Sequence, residues 1–154
     1  MNLGLIANWT EESFIRAKAL GIDFLEFCVN GADDADAFLR QVDMLRRLSV
    51  EYGVGIGSIG RWKVETICPD GQPDAEELRI AYGLIEAAAR LGSPVYVCGC
   101  NEVESLSYYE NCTAAIRQLS LLLEPRPQAR SHHCHLQLPQ GNLHSQCHGL
   151  ASHP

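Results

Sequence analysis

Three glycines divide the chain into repeated units. Gly21, Gly53 and Gly92 each follow an apolar helical segment and precede a short apolar run. Glycine at this place readily adopts the left-handed backbone conformation that ends many helices. The glycines are 32 and 39 residues apart, which is a normal length for one strand–helix unit. The spacing therefore predicts strands and helices that alternate along the chain.

Residues that commonly begin helices lie between these glycines. Thr10 can cap a first helix and is followed by two glutamates, where the helix dipole favours negative charge. Asp34 or a neighbour can cap a second helix. Asp74 and Ser107 can cap a third and a fourth, and each has a glutamate three residues later, as in the capping box or a close variant of it. The sequence thus predicts four helices.

The predicted strands are short and mostly apolar on both faces. They are Leu3–Ala7, Phe24–Val29, Val54–Ile59 and Val95–Cys98. Such strands are typical of a parallel sheet covered by helices, so we expect an α/β fold with right-handed crossovers. An open doubly wound sheet and a partial (β/α)8 TIM barrel of about four βα units both fit. The first strand is not followed by G-x-G-x-x-G, which disfavours a dinucleotide-binding domain.

Length, composition and charge limit the class of protein. A chain of 154 residues with 46% hydrophobic and 20% charged residues suits one globular domain. The sequence has neither an apolar run of ~20 residues nor a signal peptide, so we expect a cytoplasmic protein without a membrane partner. Seven cysteines, an odd number, favour reduced thiols in that compartment. A net charge of −7 argues against nucleic acid as a partner.

The carboxyl ends of parallel strands are where a binding site is expected. Glu26 is the most informative residue near them, because it interrupts an apolar strand in which an unpaired carboxylate is costly to bury. Two interpretations stay open for Glu26. It can accept a substrate hydroxyl or transfer a proton, or it can form a structural ion pair, with Arg61 as a candidate partner.

Other polar and aromatic residues follow the predicted strands. Arg61 can bind a phosphate or carboxylate through its planar guanidinium, or it can be a solvated loop residue. Trp9 and Trp62 can form the apolar wall of a binding site or can simply pack. Asn8 and Asn101 follow the first and fourth strands. Catalytic residues stay unassigned, since no nucleophile elbow or P-loop is present and Cys98-x-Cys100 lacks zinc-ligand spacing.

Four stretches of residues 1–124 resemble the xylose-isomerase-like TIM-barrel family, in its sugar-phosphate isomerase/epimerase branch. They are Gly4-Leu5-Ile6-Ala7-Asn8-Trp9, Asp23-Phe24-Leu25-Glu26-Phe27-Cys28, Gly57-Ser58-Ile59-Gly60-Arg61-Trp62 and Val97-Cys98-Gly99-Cys100-Asn101 with the following Leu106–Cys112. The resemblance implies an isomerase or epimerase that acts on a sugar or sugar phosphate. It also implies an eight-stranded barrel, of which this chain has the N-terminal half.

The resemblance further implies one divalent metal, Mn, Mg, Zn or Co, that assists proton or hydride transfer next to a sugar carbonyl. The family's metal ligands come from later strands, which have no counterpart among the four predicted here, so no metal ligand is assigned. The residues that the resemblance places on the substrate side are Asn8, Trp9, Glu26, Arg61, Trp62 and Asn101. We expect the chain by itself to be an inactive fragment.

Residues 125–154 differ in composition from the rest. All 19 acidic residues precede them, whereas all six histidines lie within them, and we expect a non-homologous tail of low order. One permitted back-translation, read one nucleotide later, yields Gly-Val-Thr-Ile-Ala-Thr-Tyr, which resembles the family's fifth strand. A frameshift or truncation near residue 125 is therefore our preferred interpretation. The alternative is a functional tail in which Ser131-His132-His133-Cys134-His135 binds a metal.

Two other functions are compatible with parts of the sequence. The same barrel serves metal-dependent endonucleases, but the acidic body makes that class a poor fit. A half barrel with a metal-binding His/Cys tail can instead be a non-enzymatic binding module. In either case the first and fourth strands would be open sheet edges, which favour self-association or aggregation.

Overall fold

The computed structural model describes residues 2–123 and 135–137, within which strands and helices alternate. The elements are β1 (Gly4–Ala7), α1 (Glu11–Leu20), β2 (Phe24–Cys28), α2 (Ala32–Tyr52), β3 (Gly55–Arg61), α3 (Ala75–Leu91), β4 (Val95–Cys98), α4 (Tyr108–Leu123) and β5 (His135–Gln137). None of the helices in this part of the chain combines the length and the apolar character that crossing a bilayer requires.

The strands form one sheet in which every pair is parallel and the order is β1-β2-β3-β4-β5. This confirms the predicted α/β fold and the partial TIM barrel. The predicted bounds of β4 agree with the structure, and those of β1 to β3 differ from it by one or two residues.

The expectation that strand four forms a sheet edge is wrong. β5 lies beside β4, with Val95 in register with His135 and Val97 in register with Gln137. The three residues of β5 show no apolar pattern that marks them as a strand. Their position is set by pairing with the free N–H and C=O groups of β4, and local sequence does not encode such long-range pairing. The remainder of the predicted tail lies outside the described residues.

The three repeated glycines end helices as predicted. Gly21, Gly53 and Gly92 have φ angles of 68°, 67° and 72°, and each N–H donates to a carbonyl of the last helical turn. A residue with a Cβ is strained at these angles, so the glycines fix where each helix turns towards the next strand.

The main core lies between the sheet and the helices. Alternate strand residues, among them Leu25, Phe27 and Ile59, point to this side and are fully buried. The ring of Phe27 makes edge contacts with Phe14 of α1 and Phe38 of α2, at centroid distances of 6.1 Å in both cases. Burial of each aromatic side chain contributes about 1.5–3 kcal/mol, so this layer holds the first two units together.

Candidate functional site

The side of the sheet that faces away from the helices would line the interior of a closed barrel. We call it the inner face and define it by Ile6, Phe24, Glu26, Cys28, Ser58 and Gly60. Glu26 lies in register with Ile6 of β1 and with Ser58 of β3, and Cys28 lies in register with Gly60. Because paired residues of neighbouring strands share a face, these side chains lie on one surface.

Glu26 occupies the middle of the inner face and is partly exposed. A Cβ added to Gly4 of β1 would lie 3.6 Å from its Oε1 atom, so the carboxylate leans over the neighbouring strand. Within residues 2–123, Glu26 makes no ion pair. The suggested pair with Arg61 is therefore not formed. A partly exposed carboxylate without a charged partner can accept hydrogen bonds from several hydroxyl groups.

Trp62 covers the carboxyl end of the inner face. Its ring lies over Gly60, since a Cβ at that glycine would come within 2.7 Å of Cζ2. The indole Nε1 donates to Cys28 Sγ at 3.2 Å, and the backbone N–H of Trp62 donates to Asn30 Oδ1 at 2.9 Å. The indole and the thiol thus lie on the same face as Glu26, nearer the carboxyl end of the strands. Asn30 holds the loop that positions the indole.

Arg61 points to the opposite side of the sheet from Glu26. Its side chain is 3% exposed, and Nε and Nη2 each donate to one carboxylate oxygen of Glu77 at 2.8 Å. Nη1 donates to the carbonyls of Val29 and Gly31. The hydrogen bond to Glu77 raises the pKa of Arg61, against the lowering effect of burial. Its guanidinium is therefore engaged within the fold, and substrate binding by Arg61 stays a prediction.

The other predicted site residues have different surroundings. Trp9 packs edge-on against Phe38 at a centroid distance of 5.7 Å, on the helix side of the sheet and away from Trp62. Asn101 binds the backbone of Ile67, accepting from its N–H at 2.8 Å and donating to its carbonyl at 3.0 Å. Asn8 is exposed after β1. The structure thus brings Glu26 and Trp62 onto one face, while Trp9, Arg61 and Asn101 contact other parts of the fold.

Sequence reasoning missed three of these contacts. The helix-start pattern places Glu77 in the first turn of α3, and the arginine that ends β3, 16 residues earlier, was the available signal for an ion pair. No contact was predicted for Cys28, although period-two alternation places it on the same face as Glu26. None was predicted for Asn30 either. Its polar side chain after an apolar strand was the available signal for a loop contact.

A small polar crevice lies behind the sheet, between α3, α4 and the ends of β3 and β4. Its lining includes Arg61, Glu77, Tyr96, Cys98 and Gln118. Gln118 is 2% exposed, and within the described part of the chain its Oε1 atom has no hydrogen-bond partner. Burial raises the pKa of the Cys98 thiol to about 12 and also raises the pKa of Tyr96. Beside the Arg61–Glu77 ion pair, the crevice therefore holds a thiol and a phenol that keep their protons at neutral pH.

A broader surface depression lies at the other end of the sheet. Gly21, Asp23, Tyr52 and Gly53 are among its lining residues, which places it where helices turn into strands. In parallel α/β folds the chemistry occurs at the carboxyl ends of the strands, so this depression is not the candidate site.

The donor atoms of the described residues do not fit the metal implied by the family resemblance. Within residues 2–123 and 135–137, no three side chains of His, Cys, Asp or Glu are grouped so that they could hold a metal ion. Catalytic zinc sites have three protein ligands, and the described residues alone do not supply such a set.

Strand order, the position of the core and the inner face together define part of a TIM barrel. Two solved structures share this fold. One is 3-keto-D-glucoside 4-epimerase from E. coli in its apo form, with 15% identity, a TM-score of 0.58, and coverage of 79% of this chain and 50% of that chain. The other is D-psicose 3-epimerase with D-tagatose from Clostridium cellulolyticum H10, with 12% identity, a TM-score of 0.59, and coverage of 80% and 47%.

The chain spans about half the length of the solved structures that it matches. No protein-family model matches the sequence, and no curated protein matches it significantly. At these identities the similarity shows the fold, and it confirms the predicted resemblance at that level.

Proposed function

We propose that residues 1–124 form the substrate-binding half of a sugar isomerase or epimerase barrel. The observation that supports this proposal best is the position of Glu26 on the inner face, partly exposed and without a charged partner among the described residues. The indole of Trp62 lies on the same face, where it donates to Cys28, two residues further along β2. A carboxylate that accepts hydroxyl hydrogen bonds next to an aromatic ring suits a small polyhydroxy ligand. The two fold neighbours carry the names of sugar epimerases.

We further propose that the chain by itself does not turn over sugars. Metal-assisted proton or hydride transfer needs several ligands around the ion, and the described residues do not bring them together. A divalent metal, Mn²⁺ or Mg²⁺, would require ligands from further strands of a complete barrel. Glu26 and the residues around it would then bind and orient the sugar.

A binding experiment tests the first proposal. Saturation-transfer NMR on the purified chain with D-tagatose should show contact, and Glu26→Gln should weaken that contact at least about tenfold because the amide loses acceptor capacity and charge. Glu51→Gln, at an exposed position of α2, is the matched control and should bind as the unmodified chain does. Absence of binding by the unmodified chain, across a panel of ketoses and their phosphates, would contradict the proposal.

A turnover experiment tests the second proposal, that the chain by itself does not turn over sugars. The purified chain is incubated with Mn²⁺ or Mg²⁺ and the same panel, and no product should form above the no-enzyme control. Product formation would show that the chain carries a complete active centre.

Reading the gene around codon 125 tests the frameshift, since the shifted frame should continue into further barrel elements.

The non-enzymatic alternative depends on the histidines and cysteines of residues 125–154. Of these residues, His135 lies in β5, which pairs with β4. Titration with Zn²⁺, Cu²⁺ or Ni²⁺ separates the alternatives. Tight stoichiometric binding would favour a metal-binding module, and weak non-stoichiometric binding would favour the barrel fragment.

A further inference from the structure

Exposed apolar side chains are concentrated at the two ends of the helix layer. With the exception of Val50, every large apolar side chain that is exposed in the described part of the chain lies in or next to β1, on α1 or on α4. They are Leu3, Leu5, Ile6, Ile15, Leu20, Tyr108, Tyr109, Ile116 and Leu123. Single exposed apolar residues are common on protein surfaces, but groups of them mark surfaces that bind other chains.

On α4 these residues form a stripe. Tyr109, Ile116 and Leu123 are 79%, 66% and 63% exposed, and they follow one another at intervals of seven residues. Seven residues make almost two helical turns, so the three side chains lie on one face of the helix. An apolar stripe with this period is typical of a helix that packs against another helix.

At the other end of the layer, β1 pairs with β2 on one side and has no strand on its other side within the described residues. Ile6 of β1 is 63% exposed and Ile15 of α1 is 50% exposed. An unpaired parallel strand edge presents N–H and C=O groups that can pair with another strand. Among the described residues, the outer side of β1 therefore has no strand neighbour, whereas α1 packs against α2.

We propose that a second copy of this chain covers both ends at once. A two-fold arrangement places the β1 and α1 end of each copy against the β5 and α4 end of the other copy. In one such contact, β1 gains a strand neighbour and the apolar stripe on α4 gains a helix neighbour. The two-fold axis generates the same contact a second time. The inner face, on which Glu26 lies, becomes enclosed only when the second copy is present.

The lengths of the chains favour this occupant. The part of this chain that matches the two solved structures covers 50% and 47% of them. Two copies of that part thus supply about as much chain as one of those structures. The inference depends on the sheet and its exposed residues, and not on the proposed sugar binding.

Sedimentation equilibrium of the full chain over about a hundredfold range of concentration tests the proposal. We expect a species of twice 17.0 kDa. Ile6→Glu and Ile116→Glu, one at each end, should each weaken dimerisation at least about tenfold, because a charge would be buried without a partner. Val50→Glu is the matched control, at a position of α2 that is 79% exposed and away from both ends, and it should leave the dimer unchanged.

Circular dichroism of each variant must match that of the unmodified chain, so that loss of the dimer is not loss of the fold. Three results would overturn the proposal. The unmodified chain could be a monomer at every concentration, it could form an open series of larger species instead of a closed dimer, or Val50→Glu could weaken association as much as Ile116→Glu does. Binding of D-tagatose is measured separately, so that its failure is distinguishable from failure of dimerisation.

Discussion

Arg61 and Glu77 connect the last residue of β3 to the first turn of α3 through two parallel hydrogen bonds of 2.8 Å. The same guanidinium donates to Val29 O at 2.7 Å, just beyond β2. One buried side chain thus ties together a strand, the helix that follows it and the end of the neighbouring strand. This bidentate geometry is available to arginine and not to lysine.

Removing the acidic partner should destabilise the fold strongly. Glu77→Gln leaves the buried guanidinium without its counter-charge, and we expect the free energy of unfolding to fall by about 3–5 kcal/mol. Urea denaturation followed by circular dichroism measures this change. Asp43→Asn, which breaks the exposed contact with Arg90 Nη2 at 2.6 Å, is the control and should cost about 1 kcal/mol or less. Equal effects of the two variants would contradict the structural role of Arg61.

A methyl group at Gly60 should disturb the cover of the inner face. The added Cβ in Gly60→Ala would lie 2.7 Å from Trp62 Cζ2, so either the ring moves or the strand shifts. We expect a loss of about 1–3 kcal/mol and a change in the wavelength of tryptophan emission. Gly4→Ala is the control, because the Cβ there meets its nearest atom, Glu26 Oε1, at an ordinary 3.6 Å. An unchanged emission spectrum for Gly60→Ala would mean that the ring does not cover this glycine.

Replacing the buried amide of Gln118 should stabilise the chain. Its Oε1 atom is buried without a partner in the described part of the chain, and such a group costs about 1–3 kcal/mol. Gln118→Met keeps the shape and removes the polar atoms, so we expect the unfolding midpoint in urea to rise. Gln41→Met on α2, where the side chain is partly exposed, should change stability by about 0.5 kcal/mol or less. A lower midpoint for Gln118→Met would show that the amide is hydrogen-bonded in solution.

Alkaline pH should weaken the fold through Cys98. Burial raises the pKa of this thiol from 9.0 to about 12, so above pH 9 the unfolded chain releases a proton that the folded chain keeps. The stabilisation is complete below pH 9 and is lost as the pH rises towards 12, at up to about 1.4 kcal/mol per pH unit. Denaturation curves at several pH values measure the slope. Cys98→Val should make the slope shallower, and a slope in Cys98→Val equal to that of the unmodified chain would refute the assignment.

The periodic features of the chain were predictable, because each depends on residues close in sequence. The glycines that end helices act locally, and so does the capping pair Ser107 and Glu110. The structure shows both contacts of that pair. The Ser107 N–H donates to Glu110 Oε2 at 2.8 Å, and the Glu110 N–H donates to Ser107 Oγ at 3.4 Å. The start of α2 was less well defined. Its cap is Gly31, and Asp34 reaches back to the Gly31 N–H at 3.1 Å.

The site was less predictable, because partners across the fold compete for each side chain. Glu77 shows this competition. Its N–H binds Asp74 Oδ1 at 2.8 Å as a helix cap predicts, but its carboxylate binds Arg61, 16 residues earlier in the chain. The alternation of side chains along β2 predicts which face of the sheet Glu26 occupies. The contact between Asn101 and Ile67 joins two loops, and no local sequence pattern specifies the conformation of either loop.

Each of β1 to β4 pairs with the strand that comes immediately before or after it in the sequence. A sheet with this order can grow by one unit at a time, since every new strand finds its partner already in place. The chain emerges from the ribosome with its N-terminus first and more slowly than local structure forms. Assembly in the order of synthesis would therefore add each new strand at one edge of the sheet, while the outer edge of β1 stays the same as the chain lengthens.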